Sequence, residues 1–482
     1  MTSSPLTLRS LTLNCWGLKY VAKVREDRLR AIGDALADMT AAAAQDGKTP
    51  YSFIALQECW VYSDFEYIRE RLRQNGTLKH SKYFWTGALG AGLAIFSAYP
   101  IRESHTYAYS LNGSPLDVAG GDWYVGKGVG SIVVRPDFLN GQEIEVFTTH
   151  FHAKGGDDGP EVSRAHRLGH AWELANIIRA SAERGRWTIA MGDYNSLPRS
   201  LVMRVLREHA CLADSWESAR AFYLDHPNLG PRSPDAAPSS PPALDAFEGG
   251  DMELATPALR RATREDEGPP ASAEDALHSR GVTADSPLNT WSAGKWLSDL
   301  AKHDKGKRLD YVLYRAPRGQ LRCVQASVVF TEHVPGRDYS YSDHFGVDAT
   351  LVVDPPQEPR EEEAGVFDSV GTMSEDTFES VLEAMRAAGP PARKRSQQLL
   401  AYFTVAIPLL VVLIVSPFWA PRTDSVIAER GLAFGAIFLT ALVTWSGTTA
   451  LYAGFIFGNW EARALRRAVE ELECWRDRIS GP

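Results

Sequence analysis

Near the start of the chain Leu11, Leu13 and Cys15 alternate with polar residues, the period-two pattern of a half-buried strand. A helical stretch follows from about Glu26, with Leu29, Ile32 and Leu36 along one face. Five short apolar runs then predict buried strands: SFIALQE (52–58), GLAIFS (92–97), GSIVV (130–134), IEVFTTH (144–150) and WTIAMGD (187–193). Between the last two lies a stretch rich in Arg and His, roughly 161–184, that reads as a helix. Strand signals resume at RLDYVLYR (308–315), VQASVVF (324–330) and FGVDATLVV (345–353). Strands mixed with helices and hairpins predict a layered α/β unit that closes near residue 354.

Two segments break this pattern. Residues 224 to about 284 are rich in Pro, Ala, Ser and acidic residues and read as a disordered insertion in the 1–354 unit. Residues 355–373 are an acidic, Pro-containing linker. One amphipathic helix is expected after it, within 355–395: Ser374 caps it, and Phe378, Val381, Leu382 and Met385 form a single stripe. The GPP at 389–391 is expected to end it.

The C-terminal part is of another kind. Residues 399–420 and 431–458 contain no charged side chain, and each run can cross a hydrocarbon core of about 30 Å. The pair predicts a transmembrane hairpin over 399–458, with a tail at 459–482. Arg393, Lys394 and Arg395 flank one end, and Arg463, Arg466 and Arg467 the other, while the connecting loop holds only Arg422 and Arg430. The positive-inside rule then places both ends, the tail and the 1–354 unit on the cytosolic side. The five scattered Cys, without a C-x-x-C pair, read as free thiols of a reducing compartment, and the N-terminus lacks the apolar core of a signal peptide. Overall usage, 44% hydrophobic and 23% charged, excludes collagen-like and wholly disordered chains. A net charge of -9 argues against a nucleic-acid partner.

Polar residues cluster where the apolar strands end. Asn14 lies in LTLNCWG, Glu58 closes FIALQECW, His150 closes VFTTHFHA, and Asp193 and Asn195 lie in MGDYNSLP. Asp310 sits in RLDYVLY, and Asp343 and His344 in YSDHFGV. Singly, each is an ordinary turn former or structural histidine. Together they supply the oxygen ligands, general base and phosphate donors that a magnesium-dependent phosphodiesterase needs. No G-x-S-x-G elbow is present to support a serine hydrolase. Gly121 to Lys127 mimics a nucleotide-binding loop, but Gly128 stands where Ser or Thr is required and a strand follows, so nucleotide binding is rejected. On these residues alone the loop reads as a Gly-rich hairpin with a solvated Lys.

In order, N-C-W, LQE, TTHFHA, GDYNS-P, RLDY and SDHFG resemble the exonuclease–endonuclease–phosphatase superfamily, whose DNase I-like fold is a four-layer α/β/β/α sandwich. NCWGLKY, LQECW, GGDWYVGKGVGS (120–131), DSPLNTW (285–291) and the two spans resemble neutral sphingomyelinases, above all the fungal inositol phosphosphingolipid phospholipase C branch. The resemblance covers about 6–222, 285–353 and the hairpin. It implies Mg²⁺-dependent, phospholipase C-type hydrolysis of inositol phosphosphingolipids or sphingomyelin to ceramide and a phosphorylated headgroup. By that resemblance Glu58 is the main metal ligand, with Asn14 and Asp343 in the metal shell. His344 is the general base and Asp310 orients it. Asp193 acts beside the water or the leaving oxygen, and Asn195 and His150 bind phosphate oxygens. Asp122 and Lys127 become substrate-binding loop residues, and His152 reads as support. A membrane sphingolipid is the expected partner, with anionic phospholipids as activators, at the endoplasmic reticulum or mitochondrial surface. A nuclease or inositol polyphosphate phosphatase of the same superfamily, and an inactive tethered binding protein, are the alternatives. Headgroup preference and oligomeric state stay open.

Overall fold

The computed structural model describes residues 6–45, 49–118, 120–155, 159–225, 268–317, 320–354, 373–419 and 425–479. Its first strands are β1 (Leu6–Asn14), β2 (Tyr51–Gln57), β3 (His80–Phe84), β4 (Leu93–Ser97), β5 (Ile101–Ala108) and β6 (Gly128–Val134). They are followed by β7 (Ile144–His150), β8 (Trp187–Asp193), β9 (Ala213–Asp214), β10 (Asp310–Arg315), β11 (Leu321–Val329) and β12 (Gly346–Val353). These build two six-stranded sheets, ordered β11-β12-β1-β2-β4-β3 and β5-β6-β7-β8-β10-β9. In each sheet one central pair is parallel, β1 with β2 and β7 with β8. A parallel pair needs a crossover. Helices α1 (Arg25–Gln45) and α3 (Glu161–Glu183) supply the two crossovers, with α2 (Tyr62–Asn75) following β2. Helices α4 (Leu201–His209) and α5 (Ser215–Asp225) follow β8.

Packing makes four layers. Leu8, Phe53 and Ile95 of one sheet meet Ile132, Val146 and Ile189 of the other. Leu11 and Leu13 face Leu29, Ile32, Phe65 and Ile68 of α1 and α2. On the far side Phe147 and Leu313 pack on Leu168, Trp172, Val202 and Leu206. The order is α/β/β/α, a DNase I-like sandwich. The inter-sheet layer changes character along β1. Leu8 is in the apolar core, Thr12 Oγ1 donates to Gln57 Oε1 (3.1 Å), and Gln57 Nε2 crosses to Thr148 Oγ1 (3.0 Å). Parallel strands end on the same edge, so the polar ends of β1, β2, β7 and β8 arrive together.

Two features depart from the expected organisation. Residues 226–267 and 355–372 lie outside the described residues, but 268–284, read as the end of the insertion, is part of the fold. Ala273–Asp275 and Ala276–Arg280 are helical; Ala276, Leu277 and Val282 pack with Phe345; and Thr283 Oγ1 accepts the Leu309 and Asp310 amides at 3.0 and 3.3 Å. Composition hid this because the few apolar residues here bury against another segment instead of forming a periodic stripe. Helix α6 (Glu375–Trp419) starts where expected, with Ser374 Oγ accepting the Thr377 amide at 3.3 Å. It does not stop at the GPP but runs through Pro390 and Pro391. An internal Pro costs about 3 kcal/mol. Ala388 and Ala392, fully buried on either side of the prolines, belong to the cluster that holds α6 against α3, and that packing offsets part of the cost.

Helix α7 (Val426–Leu451) continues through a π-helical segment, Tyr452–Phe457, into α8 (Gly458–Ile479). The apolar windows of α6 and of the α7–α8 rod are almost wholly exposed, unlike core helices of a soluble domain, and are two candidate membrane spans. Their charged ends dock on α3 and α4. Arg204 pairs with Asp376 (2.7 Å), Trp172 Nε1 donates to Glu471 Oε2 (2.9 Å), and Arg467 pairs with Glu173 (2.7 Å). His166 Nε2 meets the buried carboxylate of Glu461 at 3.1 Å, and Arg395 takes the other Glu461 oxygen.

Candidate active site

The edge where the parallel strands end carries most of the expected residues. Asn14, last in β1, donates Nδ2 to Glu58 Oε1 (3.1 Å) and to Asp193 Oδ2 across the sheets (3.0 Å). His150 and Asp193 are paired in register at the ends of β7 and β8. His150 Nε2 lies 3.5 Å from Asp193 Oδ2 and 3.9 Å from Glu58 Oε1. Asp310, first in β10, faces Asp193 across the antiparallel pair. His344 Nδ1 lies 2.8 Å from Asp310 Oδ2, which leaves Nε2 3.9 Å from Asp193 Oδ2. Local backbone conformation helps to aim these groups: Glu58 (φ 53°) and Asn195 (φ 46°) adopt the left-handed region outside glycine. Such residues cost of order 1–3 kcal/mol and persist where surroundings impose them. Gly17 shows how tightly Glu58 is held, because a Cβ there would lie 2.4 Å from the Glu58 carbonyl oxygen.

Electrostatics mark the same edge. Burial, then the neighbouring Asp310 charge, pushes the Asp193 carboxyl up to about 7, against the opposing pull of His344. Burial lowers His344, but Asp310 and Asp193 outweigh it and hold the imidazole well above its ordinary value. Burial raises Glu58, with Asp343 adding to the effect and Lys127, Asn14 and His344 offsetting it. Ligand-capable atoms of Asp193, Asp310 and His344 all lie within 4.8 Å of one another. Asp310 Oδ1 and His150 Nδ1 are buried without a hydrogen-bond partner. Crowded carboxylates offer hard oxygen ligands, and a divalent cation would relieve the repulsion that lifts Asp193. The residues present therefore fit a metal ion.

The remaining expected residues are spread around this centre. Lys127 is not solvated: it is 2% exposed, its Nζ lies 3.3 Å from Asp122 Oδ1, and its charge acts on both Glu58 and His150. Asp122 sits in a helical turn (Asp122–Val125) and also holds the Ala153 amide (3.1 Å) and His152 Nδ1 (2.5 Å). Burial works against the Asp122 carboxylate, yet Lys127 and His152 keep it well below its usual range. His152 is thus a buried partner of Asp122. Asn195 spends its Nδ2 on the Phe151 carbonyl (3.2 Å) and its amide on Asp193 Oδ1 (2.9 Å). Asp343 Oδ2 is held by Lys295 Nζ at 2.9 Å. Sequence reasoning did not find Lys295, nor Ser342, whose Oγ donates to the Asn14 carbonyl (2.6 Å), nor Trp60, whose indole reaches Glu58 Oε2 (3.4 Å). The Ser before Asp343 and the Trp two places after Glu58 stood within quoted motifs; Lys295 stood in none.

A model of the Endonuclease/Exonuclease/phosphatase family matches residues 11–344, from the middle of β1 to His344. The chain belongs to this family. It is 33% identical to the inositol phosphosphingolipids phospholipase C of Schizosaccharomyces pombe over 475 residues, which span 97% of this chain and 93% of that one. It is 30% identical to the protein of the same name from Saccharomyces cerevisiae, over 98% of this chain and 90% of that one. Human sphingomyelin phosphodiesterase 2 is 28% identical over 97% and 91%. These matches run past the family domain and through both candidate spans. Within the family the chain falls in the branch of these phosphodiesterases.

Proposed function

We propose that the chain hydrolyses sphingolipid phosphodiesters in the phospholipase C manner with Mg²⁺, releasing ceramide and a phosphorylated headgroup. One observation carries this reading. The hydrogen-bonded line Glu58–Asn14–Asp193, facing the Asp310–His344 pair, lies in a chain whose apolar helices are docked on the same domain. The named relatives support the same reading.

Glu58 and Asn14 would hold the metal, with Asp343 adding a second carboxylate to the shell. Bound there, Mg²⁺ supplies charge that polarises the phosphate and favours a nucleophilic water. The chain's own groups perform the proton work. Asp310 accepts the Nδ1 proton of His344, so Nε2 is the basic nitrogen and faces the pocket. Water gives its proton to Nε2 as its oxygen bonds phosphorus, and the bond from phosphorus to the ceramide oxygen breaks. Asp193 stands beside the leaving oxygen, which takes up a proton from solvent water and departs as ceramide, while His344 returns the proton it accepted to solvent. His150, Asn195 and the buried Lys127 present cationic or donor groups to the phosphate oxygens, and Asp122 fixes Lys127.

The membrane spans hold the domain at its lipid substrate, which raises local concentration without any new contact. Charge placement on either side of the two apolar windows supports a cytosolic domain, on the endoplasmic reticulum or mitochondria, and activation by anionic phospholipid through Arg393–Arg395 and Arg463–Arg467. The test uses full-length protein in mixed micelles with inositol phosphoceramide, sphingomyelin or abasic duplex DNA, each with Mg²⁺ or EDTA, and the Glu58→Ala protein as control. Ceramide release that needs Mg²⁺ and is lost in Glu58→Ala supports the reading. DNA cleavage without ceramide release overturns it.

A further inference from the structure

A cationic, aromatic rim stands beside the catalytic edge, built from residues with no role so far. Lys295 Nζ is 2.9 Å from Asp343 Oδ2 and 5.8 Å from the centre of the Trp16 ring. Trp16 packs on Trp291 at 5.2 Å, and Trp291 on Tyr339 at 5.7 Å. The rim is tied to the chemistry at both ends. The Trp16 amide donates to Asn14 Oδ1 (2.9 Å), and Asp343 immediately precedes His344. Trp291 is fixed by its indole on the Ser340 carbonyl (2.8 Å), and Asn289 Nδ2 ties the same turn to the Ser342 carbonyl (2.9 Å). Lys295 keeps 40% of its side chain exposed, so its ammonium lies at the mouth and not in the core.

The chemistry of this rim discriminates between headgroups. A quaternary ammonium is recognised on aromatic faces open to a cation. Here the Trp16 indole already carries two cations, since the Arg28 guanidinium lies 4.6 Å from its centre and Lys295 lies 5.8 Å away. A third positive charge meets like-charge repulsion. A hydroxylated ring meets the opposite: its C–H face can lie on an indole edge, and its hydroxyls can accept from the Lys295 ammonium protons that Asp343 does not take. Resting on the sphingolipid phosphodiesterase reading, we propose that Lys295, with Trp16 and Trp291, forms a headgroup subsite that selects an uncharged polyol ring, such as phosphoinositol, over phosphocholine.

The experiment compares wild type, Lys295→Met and Lys295→Arg, all full length in detergent. It reads kcat and KM for inositol phosphoceramide and sphingomyelin, and calorimetric binding of inositol 1-phosphate and phosphocholine. The expected result is a wild type that favours the inositol lipid. In Lys295→Met the ratio of kcat/KM for the two lipids falls at least about tenfold, mostly through KM, as for loss of a hydrogen bond from a charged group. Lys295→Arg, which keeps the charge and donors, restores most of the ratio. Equal losses on both lipids, or a wild type that prefers sphingomyelin, overturn the subsite. A wild type that binds inositol phosphate ahead of phosphocholine but cleaves neither lipid overturns the hydrolytic reading and leaves the subsite standing.

Discussion

Asp310→Asn removes one charge from the site while leaving the shape of the side chain almost unchanged. In the native site Asp310 Oδ2 and His344 Nδ1 are 2.8 Å apart, and Asp310 is fully buried. An Asn oxygen can still accept the Nδ1 proton, so the ring keeps its tautomer and its aim at Asp193. On the proposed reading, the negative charge that would stabilise the imidazolium formed when His344 takes the proton of water is lost. A hydrogen bond involving a charged group contributes about 1.5–3 kcal/mol, which corresponds to a fall of roughly 10- to 150-fold in kcat. Because Asp310 pulls His344 upward, its loss lowers the basicity of the imidazole, and the acid limb of the rate profile moves to lower pH. The assay is ceramide release from mixed micelles at saturating lipid from pH 5 to 9, beside a thermal unfolding scan. A kcat within threefold of wild type in a normally folded protein would refute the orienting role. So would a loss confined to KM.

Three further outcomes are expected. Gly17→Ala places a methyl group 2.4 Å from the Glu58 carbonyl oxygen; overpacking of about 1–3 kcal/mol should lower the melting temperature, with activity falling further because Glu58 is displaced. Glu461→Ala strips the buried acceptor from His166 and Arg395 and should destabilise the docked helices by about 3–5 kcal/mol, seen as a lower urea midpoint and faster tryptic cleavage within α8, at Arg463, Arg466 or Arg467. His209, stacked on Trp172 at 4.5 Å, is pushed down to about 3 by burial and then by Arg179. Its unfolded value is about 6.5, so between those two values the unfolded chain binds the extra proton, and stability falls as pH falls. His209→Gln should flatten that slope in urea titrations at pH 7.5 and 5.

The convergence of the candidate residues was legible because strand ends carry their polar groups in the sequence. Asn14, Glu58, His150 and Asp193 each follow an apolar run, and two βαβ units bring four such ends to one edge. Edge and short strands were not legible. β5 is mostly exposed and has no apolar face to read, and β9 is only two residues long. The burial of Lys127 escaped notice because glycines on both sides suggested a solvated turn. Lys295 lies 48 positions from Asp343, and Glu461 lies 295 from His166, so no local spacing could pair them. The prolines of α6 misled for the opposite reason. They are a strong local signal, overruled by the burial of Ala388 and Ala392.

The docking of α6 and α8 on α3 and α4 has a kinetic consequence. Trp172, Glu173, His166 and Arg204 grip the helices from one side, while Glu471, Arg467, Glu461 and Asp376 reach back from the other. A domain fastened by so many points does not swing on its anchor like a buoy on a chain; it rides at a fixed height, like a hull. If the candidate spans enter a bilayer as proposed, encounters with lipid are two-dimensional. Turnover should follow the fraction of substrate in the surface, and inert lipid or detergent should slow it by dilution even when the total substrate in the tube is constant.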